Sequence, residues 1–303
     1  MYFSIIIPTK NRPELLKEAV NSVLKQDDYL KEIIIIDDAS DHIYIEELEQ
    51  LSWKPKIYLI RLNESKERSY CRNLGITKST GDYIIFLDDD DWLEENALLH
   101  HYNNFKDSNC DVSNCLGKLC IYPNRDKQIT LVRKFHFQHR KMELSDYPFL
   151  HLLIFYSMLH TFAIKKTILE HTFFDEQLNY GEDLDLLLKL ALIKEIKFSH
   201  INFVGVAYRI TESKYPDLEK FAGLLSTFIQ ARNLTAREKF VLHLRLSQTK
   251  YWQKEYRSSL VDLSKCSYYF LKSANKLSII LAIYKRKKFN GKLNKIIQSL
   301  KHN

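Results

Sequence analysis

The chain has 303 residues, which is enough to bury a substantial core and suggests one large or two closely associated domains. Its 45% hydrophobic and 27% charged content is typical of a folded protein and excludes a disordered chain. No stretch approaches the roughly 20 apolar residues of a membrane span. Residues 263–303 hold ten Lys or Arg and no Asp or Glu, so a net charge of +7 leaves −3 for residues 1–262.

The five cysteines lack a zinc-type CxxC pair, and we expect them to be reduced thiols, as in a cytosolic protein. They are Cys71, Cys110, Cys115, Cys120 and Cys266. The first apolar run, up to Pro8, has no basic region before it and is too short for a signal peptide. We therefore expect a cytoplasmic protein.

Short apolar runs alternate with helical patterns over the first ninety residues. The predicted strands are Phe3–Ile7, Ile33–Ile36, Ile57–Leu62 and Tyr83–Leu87. Apolar residues at helical spacing follow the first strand through Lys25, and a second helix is predicted over Glu67–Lys78, closed by Thr80-Gly81. This alternation predicts a doubly wound α/β sheet with right-handed crossovers.

The remaining chain is predicted as a helix, an irregular region and then a helical end. The predicted elements are a helix over Glu94–Phe105, paired short strands over Asp111–Tyr122 and Gln128–Lys134, a helix over Phe149–Met158, a strand over His160–Lys165, a helix from Glu182, one or two strands over Ile196–Ile210, and helices over 216–232, 236–255 and 257–273.

The fourth predicted strand ends in four consecutive carboxylates, Asp88 to Asp91. Like charges at the end of a buried strand repel one another and lose hydration. A divalent cation would resolve this conflict, because Mg²⁺ and Mn²⁺ take carboxylate oxygens. A solvated acidic loop is the alternative.

Two other strand ends also carry polar sets, Thr9 to Arg12 and Asp37 to Ser40. Ligands of open α/β sheets bind beyond the carboxyl ends of the strands, so we expect these sets to converge with Asp88 to Asp91 on one site. Neither GxGxxG nor GxxxxGK[ST] occurs in the sequence, so a nucleotide would be bound by other chemistry.

Four sequence segments occur in an order and spacing that define a family. They are SIIIPTKNRPELLKEAVNSVLKQ, IIIIDDAS, RNLGI followed by GDYIIFLDDDDW, and FDEQLNYGED. Through them, residues 2–212 resemble the family 2 glycosyltransferases, inverting enzymes of GT-A fold common in bacterial polysaccharide assembly.

The resemblance implies an α/β fold with a mixed, mostly parallel sheet flanked by helices, and a C-terminal helical extension. It implies a catalytic domain over 1–215, with a nucleotide-sugar-binding half (1–110) and an acceptor half (111–215), followed by a helical region over 216–303.

The resemblance also implies which residues bind the nucleotide. Pro8, Thr9 and Arg12 would surround the uridine, and Asp38 would accept a hydrogen bond from the base, a suitable partner for the uracil N3–H. Arg72 matches a position near the base or the diphosphate. The alternatives are a turn or helix cap for Asp38 and an exposed helical arginine for Arg72.

The DxD motif of the family falls on Asp88-x-Asp90, which would bind Mn²⁺ or Mg²⁺, with Asp90 as the direct ligand. Asp88 and the middle residue, Asp89, are also assigned to nucleotide binding. The ion would bridge the two phosphates and stabilise charge as the nucleoside diphosphate leaves. Many relatives place a histidine where Thr211 stands, so Glu212 or water would complete the shell, or the metal would bind more weakly.

Glu182-Asp183 resembles the family's ED motif. Asp183 would be the general base that takes the acceptor hydroxyl's proton, and Glu182 would orient the site or the acceptor. The alternative is that both are acids in a first helical turn, favoured by the helix dipole. Trp92 could stack on a sugar or belong to the core, and His160 could line the acceptor cleft or be structural.

Residues 277–303 combine an apolar patch, Leu277–Tyr284, with the basic cluster Lys285–Lys288. This combination indicates peripheral contact with the anionic cytoplasmic face of the inner membrane, and a solvated basic helix is the alternative. The tail contains no nucleic-acid-binding module, so we expect no nucleic-acid partner.

We therefore predict an inverting, metal-dependent glycosyltransferase. It would move a sugar from a nucleotide-sugar, a UDP-sugar, to a glycan or lipid-linked acceptor in surface polysaccharide synthesis, for capsule or lipopolysaccharide. A sugar-phosphate nucleotidyltransferase is one alternative, although that class has a glycine-rich loop where residues 9–13 have no glycine. A non-catalytic paralogue is another, although it would have lost Asp90 or Asp183.

Overall fold

The computed structural model describes residues 1–52, 54–121, 131–134, 148–154, 158–178, 180–210, 218–230, 234–253, 261–262 and 264–265. The chain divides into two compact units, Met1–Phe137 with Ser157–Thr211, and Gln138–Tyr156 with Glu212–Asn303. The functional domain boundary at residue 215 stays a prediction. The 277–303 tail, Thr211 and Glu212 all lie outside the described residues.

The first unit is built on one mixed sheet. Its described strands are β1 Phe3–Thr9, β2 Leu30–Asp37, β3 Ile57–Arg61, β4 Tyr83–Phe86, β5 Trp92–Leu93, β6 Val112–Ile121, β7 Leu131–Lys134, β8 Phe162–Lys165 and β9 Phe198–Ile210. They are arranged in the order β3-β2-β1-β4-β8-β6-β9-β5, and β7 pairs with β6. The predicted α/β fold with a mixed sheet is confirmed, and so is the pairing of β6 with β7.

The described helices are α1 Pro13–Leu24, α2 Ile45–Ser52, α3 Glu67–Lys78, α4 Ala97–Ser108, α5 Pro148–Ile154, α6 Lys166–Leu169, α7 Glu182–Leu192, α8 Leu218–Gln230 and α9 Ala236–Trp252. Helices α5, α8 and α9 belong to the second unit, and the others belong to the first. None of the described helices is long and apolar enough to cross a membrane. The four described cysteines, Cys71, Cys110, Cys115 and Cys120, are free.

Parallel strands form the first half of the sheet. Strands β3, β2, β1 and β4 are all parallel, with Ile5 opposite both Ile33 and Ile85. The isoleucines of β1, β2 and β4 are almost completely buried, as expected for strands that are covered on both faces. The carboxyl ends of β1, β2 and β4 therefore lie at the same edge.

Strand β8 enters the sheet antiparallel to both of its neighbours, β4 and β6. Ile164 of β8 lies opposite Ile84 of β4 and Val112 of β6. Because β8 runs against β4, the residues just before β8 lie beside the residues just after β4. This reversal places the turn at Leu159–Thr161 next to the four-aspartate run.

Several predicted boundaries are wrong for local reasons. Helix α4 begins at Ala97 rather than Glu94, because Trp92–Leu93 pairs with β9 and Asn96 adopts φ 63° before the helix. His160 lies in a 3-10 turn before β8 rather than within the strand. Helix α2 was not predicted.

Gly81 does not cap helix α3. That helix ends at Lys78 and is capped by Ser79, which is extended and donates its backbone N–H to the Gly75 and Ile76 carbonyls. Gly81 is instead needed for close packing, because an added Cβ would lie 2.6 Å from Oγ of Ser4 and 2.8 Å from its backbone nitrogen.

The second unit is helical in its described part, as predicted for the C-terminal region. Phe149 of α5 packs against Phe228 of α8, with ring centroids 6.4 Å apart. The buried Asp262 carboxylate is 2.9 Å from Nδ1 of His243 and accepts a hydrogen bond from Nζ of Lys250 at 2.8 Å. Pairing of this kind is what allows a carboxylate to be buried.

Candidate active site

The ends of β1, β2 and β4 meet, as predicted from the polar sets at those strand ends. Asp38 donates its backbone N–H to the Thr9 carbonyl at 2.9 Å. The Thr9 hydroxyl donates to the Asp89 carboxylate at 2.7 Å, within a buried contact. Pro8 lies one residue earlier, opposite Ile36 in β2. The predicted nucleotide-binding residues of the three strands therefore share one edge of the sheet.

The loops after β1 and β2 are tied together by a reciprocal pair. The Asn11 side-chain amide donates to the Asp41 carboxylate at 2.9 Å, and its carbonyl oxygen accepts the Asp41 backbone N–H at 2.7 Å. The Asn11 backbone N–H donates to the Ser40 hydroxyl at 2.8 Å. Asn11 and Ala39 both have φ of 57°, in the left-handed region, so each loop reverses sharply.

Asp38 holds the start of helix α3. Its carboxylate accepts hydrogen bonds from the Ser65 hydroxyl at 2.6 Å and from the backbone N–H groups of Lys66 and Glu67 at 2.6 and 3.2 Å. These bonds match the helix-cap alternative. They leave room for a further donor, since a carboxylate offers about four acceptor sites. The role of Asp38 in base recognition stays a prediction.

Asp37 belongs to the polar set predicted at the end of β2, and its partners lie within the protein. Its carboxylate is fully buried and accepts hydrogen bonds from Nε of Arg61 at 2.8 Å and from the backbone N–H of Ser40 at 3.1 Å. The Ser40 hydroxyl also donates to it. Asp37 therefore fixes the chain around Asp38.

Arg72 is the centre of the site. It is buried, so the exposed-arginine alternative is wrong. Its Nη1 donates to the Glu182 carboxylate at 3.0 Å and its Nη2 donates to Asp88 at 2.8 Å. The guanidinium also lies over the Phe174 ring, 5.4 Å from its centroid. One side chain thus connects the DxD-type segment to the ED-type segment.

The four consecutive aspartates have four different environments. Asp88 pairs with Arg72, and Asp89 accepts from Thr9 and, at 3.2 Å, from Arg12. Asp90 accepts from the same Arg12 nitrogen at 3.2 Å. Asp91 accepts the Arg209 backbone N–H at 2.8 Å. Asp89 and Asp91 are buried, so the alternative of a solvated acidic loop is wrong.

Burial and neighbouring charges shift the pKa values of these carboxyls in different directions. Burial raises the pKa of Asp89 to about 6, although Thr9 and Arg12 oppose the rise. Burial, reinforced by the Asp88 and Asp90 charges, raises the pKa of Asp91 well above its ordinary value. Burial would also raise the pKa of Asp88, but Arg72, His160 and Arg68 together outweigh it, so the pKa of Asp88 is lowered. Cationic partners therefore decide which carboxylates stay ionised.

A group of side chains able to hold a metal ion forms beside this run. One ligand atom from each of Asp88, Asp91 and His160 lies within 4.8 Å of the others. Two carboxylates and an imidazole suit a divalent ion such as Mn²⁺, and Asp91 Oδ2 is buried with no hydrogen-bond partner. Asp90 is outside this group and pairs with Arg12 instead. The predicted role of Asp90 as a metal ligand stays a prediction.

Strand β9 fixes the aspartate run from one side. Besides the bond to Asp91, Arg209 donates from Nε to the Asp90 carbonyl at 2.8 Å and lies over the Trp92 ring, 5.2 Å from its centroid. Tyr208 stacks on His160, with centroids 5.6 Å apart and planes at 17°. No role was predicted for Arg209 from the sequence. Its position at the end of a predicted strand was the available signal.

The ED-type pair begins helix α7 as predicted. Gly181 adopts φ 76° before the helix, and Glu182 is buried against Arg72, with Nη1 of the exposed Arg68 also 3.6 Å away. Asp183 accepts the Leu184 backbone N–H at 2.8 Å, and no other described group donates to it. Burial, reinforced by Glu182, raises the pKa of Asp183 to about 6. A carboxylate of this pKa is suited to accept a proton near neutral pH.

The family of this chain follows from comparison with known proteins. The glycosyl transferase family 2 model matches residues 4–173, which include β1 to β4, the four-aspartate run and most of the segment that leads to α7. The chain belongs to glycosyl transferase family 2, and it is a glycosyltransferase.

Curated relatives are consistent with this membership. A Rickettsia prowazekii protein described as an uncharacterized glycosyltransferase is 30% identical over 249 residues, covering 79% of this chain and 74% of its own. The GalNAc(5)-diNAcBac-PP-undecaprenol beta-1,3-glucosyltransferase of Campylobacter jejuni is 27% identical over 287 residues, covering 93% and 85%. The poly(ribitol-phosphate) beta-N-acetylglucosaminyltransferase TarP of Staphylococcus aureus is 39% identical over a shorter stretch of 118 residues, covering 36% and 34%.

Solved structures share the fold. S. aureus TarS in complex with UDP-GlcNAc superposes with a TM-score of 0.65 at 19% identity, covering 93% of this chain and 82% of that chain. The Pyrobaculum calidifontis mannosyltransferase PcManGT, in complex with GDP-Man and Mn²⁺, superposes with a TM-score of 0.61 at 14% identity, covering 98% and 84%. These likenesses confirm the predicted GT-A fold.

Proposed function

We propose that the protein is an inverting, metal-dependent glycosyltransferase. It transfers a sugar from a UDP-sugar to a hydroxyl of a glycan or lipid-linked acceptor in surface polysaccharide synthesis. The observation that carries the proposal is the bridge of Arg72 between Asp88 and Glu182. The bridge supports the proposal because it connects Asp88, which would bind a metal diphosphate, to the start of helix α7, where Asp183 would act as the base.

Each part of the site then has a chemical task. Asp183 takes the proton of the acceptor hydroxyl, and the hydroxyl oxygen bonds to the anomeric carbon. The bond from that carbon to the diphosphate oxygen breaks, and the nucleoside diphosphate leaves with the electron pair. Attack opposite to the leaving group inverts the anomeric configuration. No covalent enzyme intermediate is needed, so a single base is sufficient.

A divalent ion, when bound, supplies Lewis-acid stabilisation of the leaving diphosphate. Asp88 and its neighbours would hold it, as the donor set of two carboxylates and an imidazole allows. Arg72 keeps Asp88 ionised and so maintains a carboxylate that can bind a cation. Arg12 is half-exposed beside Asp89 and Asp90, where it can also contact the diphosphate.

The nucleoside would lie against the joined ends of β1 and β2. Pro8, Thr9 and Arg12 border this region, and Asp38 offers acceptor capacity for the N3–H of uracil. The likeness to TarS with UDP-GlcNAc supports a UDP-sugar. Guanine also carries N–H donors, so GDP-mannose is the donor to compare, as the likeness to PcManGT indicates.

The name of one relative supports a lipid-linked acceptor. The C. jejuni relative, which aligns with 93% of this chain, is named for a glycan on a pyrophosphate-linked lipid. A lipid-linked acceptor would give a purpose to the predicted contact of residues 277–303 with the cytoplasmic face of the inner membrane. Family membership disfavours the nucleotidyltransferase alternative.

A donor screen tests the proposal. Purified protein is incubated with UDP- and GDP-sugars, with Mn²⁺, with Mg²⁺ or with EDTA, and release of nucleoside diphosphate and thermal shift are recorded. We expect a UDP-sugar to raise the melting temperature and to be slowly hydrolysed only when metal is present. Failure of every UDP-sugar to bind in a metal-dependent manner would contradict the donor assignment.

The matched variant is Asp183→Asn, which keeps the size of the side chain and removes the base. We expect transfer to fall by at least about 100-fold, the lower end of what a general base contributes, while UDP binding persists. Unchanged turnover would remove Asp183 as the base. A product of retained anomeric configuration, read by NMR, would contradict inversion.

A further inference from the structure

We propose that His160 is a protein ligand of the divalent ion, together with Asp88 and Asp91. This inference rests on the proposed metal dependence and assigns the atoms that provide it. The three side chains come from two separate segments, the run after β4 and the turn before β8. The antiparallel insertion of β8 brings these segments together.

The distances fit an ion between the three groups. His160 Nδ1 lies 3.2 Å from Asp91 Oδ2, and one ligand atom from each of the three residues lies within 4.8 Å of the others. Neighbouring ligands of an octahedral ion with bonds of about 2.1 Å are about 3 Å apart, and opposite ligands about 4.2 Å. The observed separations are close to these values, so small side-chain adjustments would let the three groups share one ion.

An unsatisfied polar atom provides a second, independent observation. Asp91 and His160 are 1% and 4% exposed, and Asp91 Oδ2, which faces His160 Nδ1, has no hydrogen-bond partner. A buried polar atom without a partner is costly, so such atoms in a native protein call for a ligand or another explanation. A cation bound between Asp91 and His160 would satisfy the carboxylate oxygen and take the lone pair of the imidazole.

Neighbouring side chains hold the His160 ring in place. Asp88 and Asp91 lie beside it in the run after β4, and Tyr208 stacks on it from β9, with ring centroids 5.6 Å apart. The ring is therefore fixed with Nδ1 facing Asp91.

The side chain of Asp88 leaves the site open on one side. It is 36% exposed, whereas Asp91 is fully enclosed. An ion held by Asp88, Asp91 and His160 would therefore keep coordination positions facing solvent, where diphosphate oxygens can bind. Mn²⁺ is the expected ion, because it takes carboxylate oxygens and, more readily than Mg²⁺, a nitrogen.

The test measures metal binding without any nucleotide. Protein carrying ¹⁵N-labelled histidine is loaded with Mn²⁺ alone, and electron–nuclear double resonance records whether a histidine nitrogen is coupled to the ion. We expect coupling in the wild-type protein and its loss in His160→Gln. Equilibrium titration of Mn²⁺ should give a dissociation constant about 10- to 100-fold higher for this variant.

The matched control is His200→Gln. His200 is a half-buried histidine of the same unit, and its Nδ1 is 2.9 Å from the Asn114 side-chain oxygen, outside the acidic group. We expect this variant to keep both the nitrogen coupling and the affinity. Absence of coupling in the wild-type protein, or its persistence in His160→Gln, would overturn the inference. Because the wild-type measurement needs no substitution, absence of coupling there overturns the inference even if the variant does not fold.

Measurement of donor turnover distinguishes failure of this inference from failure of the proposed function. Metal-dependent transfer with no nitrogen coupling would refute His160 as a ligand and leave the function standing. Nitrogen coupling with no nucleotide-sugar binding would support the ligand assignment and refute the function.

Discussion

Arg72 and Glu182 form a buried ion pair, in which Nη1 lies 3.0 Å from Oε1 and the two side chains are 4% and 5% exposed. A second arginine, Arg68, approaches the same carboxylate at 3.6 Å, but its side chain is 58% exposed. The two arginines therefore offer a direct comparison of a buried and an exposed partner on one acid.

Arg72→Ala should be severely destabilising, because it leaves the Glu182 charge buried without its main partner. Removal of one partner of a buried pair typically costs about 3–5 kcal/mol. Arg68→Ala should change the free energy of unfolding by at most about 1 kcal/mol, since exposed pairs contribute little. Urea unfolding at neutral pH measures both values. Equal losses in the two variants would show that burial does not decide the strength of this pair.

Thr9→Val should weaken donor binding. The substitution keeps the shape of the side chain and removes the hydroxyl that donates to Asp89. Loss of one partner of a buried hydrogen bond costs about 1–3 kcal/mol, and the pKa of Asp89 should rise further above 6, because the Thr9 bond lowers it. We expect a higher KM for the donor.

Thr9→Ser is the control for this prediction, since it retains the hydroxyl. It should restore donor binding to near the wild-type level. If the serine and valine variants were equally impaired, the methyl group rather than the hydroxyl would be responsible.

The turnover rate should fall as the pH drops below about 6. A general base must be ionised, and burial raises the pKa of Asp183 to about 6, so its charged fraction declines through that range. The profile of kcat should be recorded at saturating donor, acceptor and metal. Constant kcat down to pH 5 would place the base elsewhere or show that its pKa is lower in the complex.

Gly81→Ala should destabilise the first unit. The new methyl group would approach the Ser4 backbone nitrogen to 2.8 Å, which requires β1 or the chain before β4 to move. Overpacking of this kind typically costs about 1–3 kcal/mol. The change is measured as the midpoint of urea unfolding.

Gly223→Ala in helix α8 is the matched substitution. Nothing lies within 4 Å of its added Cβ, and alanine favours helix over glycine by up to about 1 kcal/mol. This variant should therefore be unchanged or stabilised. A loss comparable to that of Gly81→Ala would indicate that both effects come from the backbone rather than from the space around Gly81.

The first half of the sheet could be predicted from the sequence because its signals are local. The run Ile33–Ile36 is apolar and β-branched throughout, and such a run is typical of a parallel strand covered on both faces. The proximity of the segments that contain Thr9 and Asp89 could also be predicted, because parallel strands bring their carboxyl ends to one edge of the sheet. Helix α3 was predicted with its observed bounds, Glu67–Lys78.

The partners of the individual carboxylates could not be predicted. The proximity of His160 to Asp91 depends on the antiparallel entry of β8, a long-range pairing that no local pattern encodes. The expectation of a histidine at Thr211 came from the family resemblance, and that position lies outside the described residues. The pairing of Asp90 with Arg12 depends on side-chain directions, which spacing along a strand end does not determine.

The reciprocal hydrogen bonds between Asn11 and Asp41 affect the affinity of the site for a nucleotide. Fixing the backbone of one residue costs about 1–2 kcal/mol of conformational entropy. Two side-chain bonds, of 2.9 and 2.7 Å, already hold the loops that would border the nucleoside. The entropic cost of ordering these loops is therefore incurred when the protein folds, and not each time a nucleotide binds. Preorganisation of this kind favours capture of a nucleotide at low concentration, and Asn11→Ala would transfer that penalty to the ligand.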